Sequence, residues 1–194
     1  MSSQVSPPQS AIRIVDLTPA HVEAGNQAAR ILHAAFREHW RDAWPTLDAA
    51  REEVAAMCAP DRICRAALDR HSDVVGWIGG LEMGYDGRVW ELHPLAIDPS
   101  RQGQGLGRAL VHDLEAQVQA RGGVIIYLGT DDIDGMTTLS GVDLWHDPWA
   151  AIHTIRNLKR HPYQFYEKLG YRIVGVLPDA NGKGKPDIFM AKHL

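Results

Sequence analysis

The sequence predicts an α/β domain, in the α+β sense, with helices flanking a mixed central sheet. Three observations carry this. Ile63 to Leu68 and Val74 to Met83 are apolar runs on either side of the turn Arg70-His71-Ser72-Asp73, which predicts a hairpin. Val89 to Ile97 leads through a glycine-rich loop and a helical pattern to the apolar run Val124 to Leu128, a strand-loop-helix-strand crossover. Ahead of both, apolar residues recur at helical spacing.

In chain order, Ala11 to Val15 is a strand candidate. Thr18 as cap and Pro19 as first helical residue open a helix, and its stripe Val22, Ala29, Leu32, Ala35 and Phe36 continues to about Trp40. After Trp44-Pro45, Thr46 caps a second helix with the stripe Leu47, Ala50, Val54 and Met57, which Pro60 ends. The hairpin follows, then the turn Tyr85-Asp86-Gly87 and the strand Val89 to Ile97. Leu106, Ala109, Leu110, Leu114 and Val118 mark a helix that stops at Gly122-Gly123. Val124 to Leu128 is uniformly apolar, as a strand buried on both faces would be. Residues 129 to about 160 read as irregular, Pro162 to Leu169 as a short helix with Gly170 after it. Tyr171 to Leu177 and Ile188 to Ala191 read as closing strands.

The 194 residues suit one domain with a core of its own. Residues 1–10 read as a disordered lead-in and 11–194 as a single domain; no apolar run reaches membrane-span length, so a cytoplasmic protein with no membrane partner is expected. A formal charge of -4 gives no support for nucleic-acid binding. Cys58 and Cys64 fit neither a disulfide framework nor a zinc motif, and His146 and His153 lack a third ligand, so no metal is expected.

Gln102-Gly103-Gln104-Gly105-Leu106-Gly107-Arg108 joins a strand end to a helix start. Glycines allow close backbone approach, and helix-start amides favour an anion, so the segment is an anion cradle, with Arg101 and Arg108 adding positive charge. Gly107 is followed by Arg108-Ala109, which rules out a Walker A ending, and Arg108 stands where a dinucleotide fingerprint needs glycine.

The pattern Gln-x-x-Gly-x-Gly with Leu110 resembles the pyrophosphate loop of the Gcn5-related N-acetyltransferases (GNAT). Further runs resemble one branch, the chromosomal aminoglycoside 6′-N-acetyltransferases of the enterococcal type: Trp90-Glu91-Leu92-His93-Pro94-Leu95, Tyr127-Leu128-Gly129-Thr130-Asp131-Asp132, and His161-Pro162-Tyr163 with Phe165 to Tyr171. Lys185-Pro186-Asp187-Ile188 extends the likeness, whereas the first forty or so residues match poorly. The resemblance implies the GNAT fold, with a mostly antiparallel sheet, and acetyl-CoA as co-substrate on Leu95, Ala96, Ile97 and Gln102, Gly103, Gln104, Gly105, Leu106, Gly107 and Arg108. It also implies a homodimer.

Acetyl transfer to an amine needs a proton acceptor. Glu91 and His93 lie two residues apart on one strand and share a face, so either serves, directly or through water. By resemblance a backbone amide near Leu95 stabilises the tetrahedral intermediate, and Tyr166 stands beside the cofactor sulfur to donate a proton or to position. From Gly129 to Trp149 the chain holds Asp131, Asp132, Asp134, Asp143 and Asp147 and no Lys or Arg, an acidic lid suited to a polycationic amine. Asp131 and Asp132 lead this group. Trp44, Glu82 and Glu91 complete the expected substrate contacts, with Trp40 and Trp77 as further candidates for the wall. The expected reaction is acetylation of an aminoglycoside 6′-amine in a ternary complex. The alternatives are another amine acceptor or a non-catalytic acyl-CoA-binding module.

Overall fold

The computed structural model describes residues 12–86 and 88–194; the expected lead-in over 1–10 lies outside them. Seven strands form one sheet in the order β1-β2-β3-β4-β5-β7-β6. They are β1 (Arg13–Asp16), β2 (Ile63–Leu68), β3 (Val74–Glu82), β4 (Val89–Ile97), β5 (Ile125–Asp131), β6 (Arg172–Leu177) and β7 (Asp187–His193). All neighbours are antiparallel except β4 and β5, which a crossover helix joins. This is the mixed, mostly antiparallel sheet that the sequence predicts.

Among the described residues five α-helices flank it: α1 (Val22–Phe36), α2 (Leu47–Met57), α3 (Leu106–Ala120), α4 (Pro148–His153) and α5 (Tyr163–Glu167). Two cores result. On one face α3 and α5 bury Leu110, Leu114 and Val118 with Trp90, Ile126 and Leu128 of the sheet. On the other, α1 and α2 bury Ala28, Leu32, Val54 and Met57 around Trp77, whose indole donates to the Ala28 carbonyl at 3.0 Å. Trp77 is therefore core, not cleft wall. The buried guanidinium of Arg65 ties the β1 edge to α3 through Asp16 and Asp113.

Three local expectations need correction. Thr18 does not cap α1; its amide and hydroxyl contact the His21 ring at the true cap position, so the helix starts a turn later. By contrast Thr46 caps α2 as its position demands, accepting from the Ala49 amide at 3.1 Å. Strand β5 is not buried on both faces: its even residues are covered and its odd ones are not. The uniformly apolar segment is its first half, and the open face lies beside the site below. Within the stretch expected to be irregular, α4 forms because Asp147 accepts from the Ala150 amide and Pro148 opens the helix. Cys58 and Cys64 are free thiols.

Candidate active site

The site begins where β4 and β5 part. Their parallel ladder runs through Val89–Ile125, Trp90–Ile126 and Glu91–Tyr127 and then stops. Beyond Glu91, β4 keeps β3 on one side, while its other edge faces the split with main-chain groups free for an extended ligand. β4 also bulges: Ile78 pairs with Leu95 but Gly80 with Leu92, so His93 and Pro94 together oppose Gly79. The bulge switches which face each residue covers. Before it Trp90 and Leu92 pack on the α3 face, and after it Leu95 and Ile97 do. Ala96 belongs to the α1–α2 core.

The glycine loop closes one end of the split. Gly103 and Gly105 have φ of 75° and 84°, a left-handed backbone that favours glycine. A Cβ at either would meet nothing within 4 Å, so the loop surface is open. Helix α3 has no side-chain cap and no acidic residue in its first turn, and its first bond to Gly105 comes from Ala109. The amides of Leu106, Gly107 and Arg108 are thus free to meet an anion. Arg101 turns aside towards Asp69, at 4.0 Å. At Gly107, a Cβ would lie 3.2 Å from Phe165 Cζ and 3.8 Å from Leu95 Cδ2, so α5, α3 and β4 converge at this point.

Tyr166 lies beside that convergence, its ring edge-on to Phe165 at 5.0 Å. Burial alone pushes its phenol well above the usual range, which keeps the proton on oxygen. Such a group can donate to a leaving thiolate and cannot act as a base near neutral pH.

On the α1–α2 face, Glu91, Tyr127, Gly129 and Asp131 share one side of the sheet, and the β7 register adds Asp187 opposite Asp131. Burial raises the Tyr127 phenol, and the charge of Glu91 and a hydrogen bond to it add to the shift. The Asp131 carboxylate accepts from Asn181 at 2.5 Å, and its carbonyl accepts from the Trp40 indole at 3.2 Å. His161 holds the same carbonyl with Nε2 at 3.2 Å, while its Nδ1 accepts from the Tyr163 amide. Burial lowers the His161 pKa, consistent with a neutral ring whose Nε2 carries the hydrogen.

His93 meets Glu53 of α2 at 3.5 Å, and its ring lies 5.8 Å from that of Trp44. Trp44 also donates to Glu53 at 3.4 Å. Glu53 is a residue that the sequence reading missed. It sits on the polar side of an amphipathic helix, where a charge looks like solvated surface.

Several expected substrate contacts lie elsewhere. Asp132 is fully buried and accepts from the Met136 amide at 2.6 Å and from the Thr137 amide and hydroxyl at 2.8 and 2.7 Å. Its charge is spent inside the protein. Asp143 and Asp147 cap their own turns, and Asp134 pairs with His39 at 2.9 Å. Glu82 is opposite Trp90 in the register, so it leaves the sheet on the face away from Glu91. The acidic lid is thus largely a self-capped loop, and the cleft-face carboxylates belong to the strands. Among the described residues no group of three metal-ligating side chains occurs.

A split parallel pair capped by an anion-binding helix start, with carboxylates on the adjoining face, is the arrangement that the resemblance to acyl-coenzyme A-dependent transferases leads one to expect. Comparison with known proteins gives the family. The acetyltransferase (GNAT) family profile matches residues 21–134, and the chain belongs to that family, whose members use acetyl-CoA as co-substrate. A solved aminoglycoside 6′-N-acetyltransferase in complex with coenzyme A is 44% identical, with a TM-score of 0.84, covering 93% of this chain and 96% of that one. An aminoglycoside 6′-N-acetyltransferase from Enterococcus faecium is 44% identical over the same shares, with a TM-score of 0.82. An aminoglycoside 6′-acetyltransferase type Ii is 39% identical, again over 93% and 96%, with a TM-score of 0.70. No curated protein matched the chain.

Proposed function

We propose that the protein transfers the acetyl group of acetyl-CoA to the 6′-amine of an aminoglycoside. One observation carries the choice of substrate: Glu91, Asp131 and Asp187 stand on the sheet face beside the split, where a polycation is attracted. The likeness to aminoglycoside 6′-N-acetyltransferases at 44% identity supports the same choice.

In this reading both substrates are bound together. The amine attacks the thioester carbonyl and loses its proton to Glu91, a carbon–nitrogen bond forms, and the carbon–sulfur bond breaks. Glu91 is preferred to His93 as the acceptor because the His93 ring is engaged with Glu53 and Trp44. A main-chain amide near Leu95 stabilises the developing oxyanion. Leu95 to Ile97 and Gln102 to Arg108 hold the pantetheine and pyrophosphate, and the protonated Tyr166 phenol hydrogen-bonds the departing sulfur. Trp44 forms part of the acceptor's wall.

Among the described residues no helix is long and apolar enough to cross a membrane. A small-molecule acceptor, a cytoplasmic location and a homodimer complete the proposal, the dimer resting on the family resemblance. Thiol release from acetyl-CoA against aminoglycosides with and without a 6′-amine, polyamines and peptides tests it. Turnover confined to 6′-amino drugs is expected; turnover confined to polyamines or peptides would overturn it.

A further inference from the structure

The chain has two cysteines, and both are free thiols in one corner of the α1–α2 core. Cys58 is the cap residue that ends α2 and is half-buried. Cys64 is the second residue of β2 and is buried. Between them the chain folds back, the Ala59 amide donating to the Ala56 carbonyl at 3.2 Å and the Arg62 amide to that of Ala59 at 3.1 Å. The turn brings the two side chains together, and the Cys64 thiol hydrogen-bonds Cys58.

That contact makes the two thiols unequal. The hydrogen bond holds the Cys58 thiol below its usual range, against the push of burial. The same bond and burial raise Cys64, and the charges of Cys58 and Asp16 add to the shift. A half-exposed sulfur that ionises first is the one that attacks an oxidant, and a buried neighbour in contact with it is placed to resolve the adduct. We propose that Cys58 and Cys64 form a thiol–disulfide exchange site for small-molecule disulfides, and that closing it slows acetyl transfer. The Cys58 thiolate attacks the reagent, forming a mixed disulfide and expelling one thiolate, which takes up the Cys64 proton. Cys64 then attacks the Cys58 sulfur, and the second thiolate leaves with the proton that Cys58 had lost. The protein gives up two electrons, and the reagent is reduced to two thiols.

The pair is coupled to β4 through Gly79. Cys64 is opposite Gly79 in the β2–β3 register, and Gly79 in turn faces the bulge of His93 and Pro94. A Cβ at Gly79 would collide with the Met57 methyl and the His93 carbonyl, so α2 and β4 close on the same bare backbone. Met57 is fully buried and directly precedes Cys58. A disulfide draws the two sulfurs to about 2 Å, which moves the end of α2 toward β2. Close packing passes that shift to the bulge, and the Glu53–His93 contact moves with α2.

The test equilibrates purified enzyme with oxidised glutathione, removes the reagent, and compares the product with enzyme kept in dithiothreitol. Thiol titration of the unfolded chain should find both thiols lost, and the intact mass should fall by two hydrogens. Acetyl transfer is measured with the preferred amine among those named above, by mass spectrometry of the product, because a thiol dye would itself act on the pair. The acceptor kcat/KM should fall roughly tenfold, the scale on which misplaced reacting groups slow a reaction, and dithiothreitol should restore it. Cys58→Ser should keep the rate of the reduced enzyme and ignore the reagent, and Cys64→Ala should trap glutathione on Cys58. Two thiols that survive the reagent, or a lasting glutathione adduct on the wild-type chain, overturn the site. A disulfide that forms and leaves kcat/KM unaltered overturns its effect on transfer.

Discussion

Glu53 and His93 meet across 3.5 Å between helix α2 and strand β4, joining the helical wall to the strand that holds Glu91. The hydrogen bond from His93 holds the Glu53 carboxyl below the usual carboxylate range, against the upward push of burial. A carboxyl lowered on folding contributes stability at neutral pH that is lost as pH falls through its folded value. Glu53→Gln should therefore be less stable than wild type at pH 7, and the gap should close below about pH 4. Thermal unfolding across that range checks this, and a gap that widens on acidification contradicts the pairing.

Removing the proposed base gives a second prediction. Glu91→Gln should lower kcat by about a hundredfold, within the usual contribution of a positioned base. The loss should be greatest at low pH, where fewer amines are already neutral, and the acetyl-CoA KM should hold. If Glu91→Gln keeps its rate and His93→Gln loses it, the proton passes to His93 instead.

At the glycine loop, Gly105→Ala places a side chain at φ 84°, a strain of about 1–2 kcal/mol. The acetyl-CoA KM should rise and the acceptor KM should not. A change confined to the acceptor would place the phosphates elsewhere.

Asp132 offers a contrasting case. Asp132→Ala deletes a buried carboxylate with three internal donors and should cost about 3 kcal/mol of stability. Its effect should appear in the melting temperature, with the acceptor KM of the folded fraction unchanged. A raised KM at undiminished stability would restore Asp132 to the cleft.

These contrasts show what the sequence can and cannot reveal. Strands β2 and β4 are legible end to end: β2 is a short, almost wholly buried run closed by the turn before Val74, and β4 alternates between buried and half-buried residues up to the glycine loop. The glycine loop is equally plain, since φ of 75° and 84° demand glycine at Gly103 and Gly105. Asp132 and Asp131 look alike as neighbours in a chain, yet one faces inward to cap a loop and the other stands on the cleft face. Alternation along β5 separates them, and recognising it requires knowing that the strand runs on past Leu128. Glu53 and Asp187 gain their contacts from partners tens of residues away, Glu53 from His93 and Asp187 from Gly129, and no local pattern marks such pairs.

The position of the transferred acetyl group tests the central claim most directly. Incubation with acetyl-CoA and an aminoglycoside, followed by NMR of the purified product, should show a single acetyl group on the 6′ nitrogen. Drugs that carry a hydroxyl in that place should remain unmodified. Acetylation at another nitrogen, or on a drug without a 6′-amine, would contradict the account.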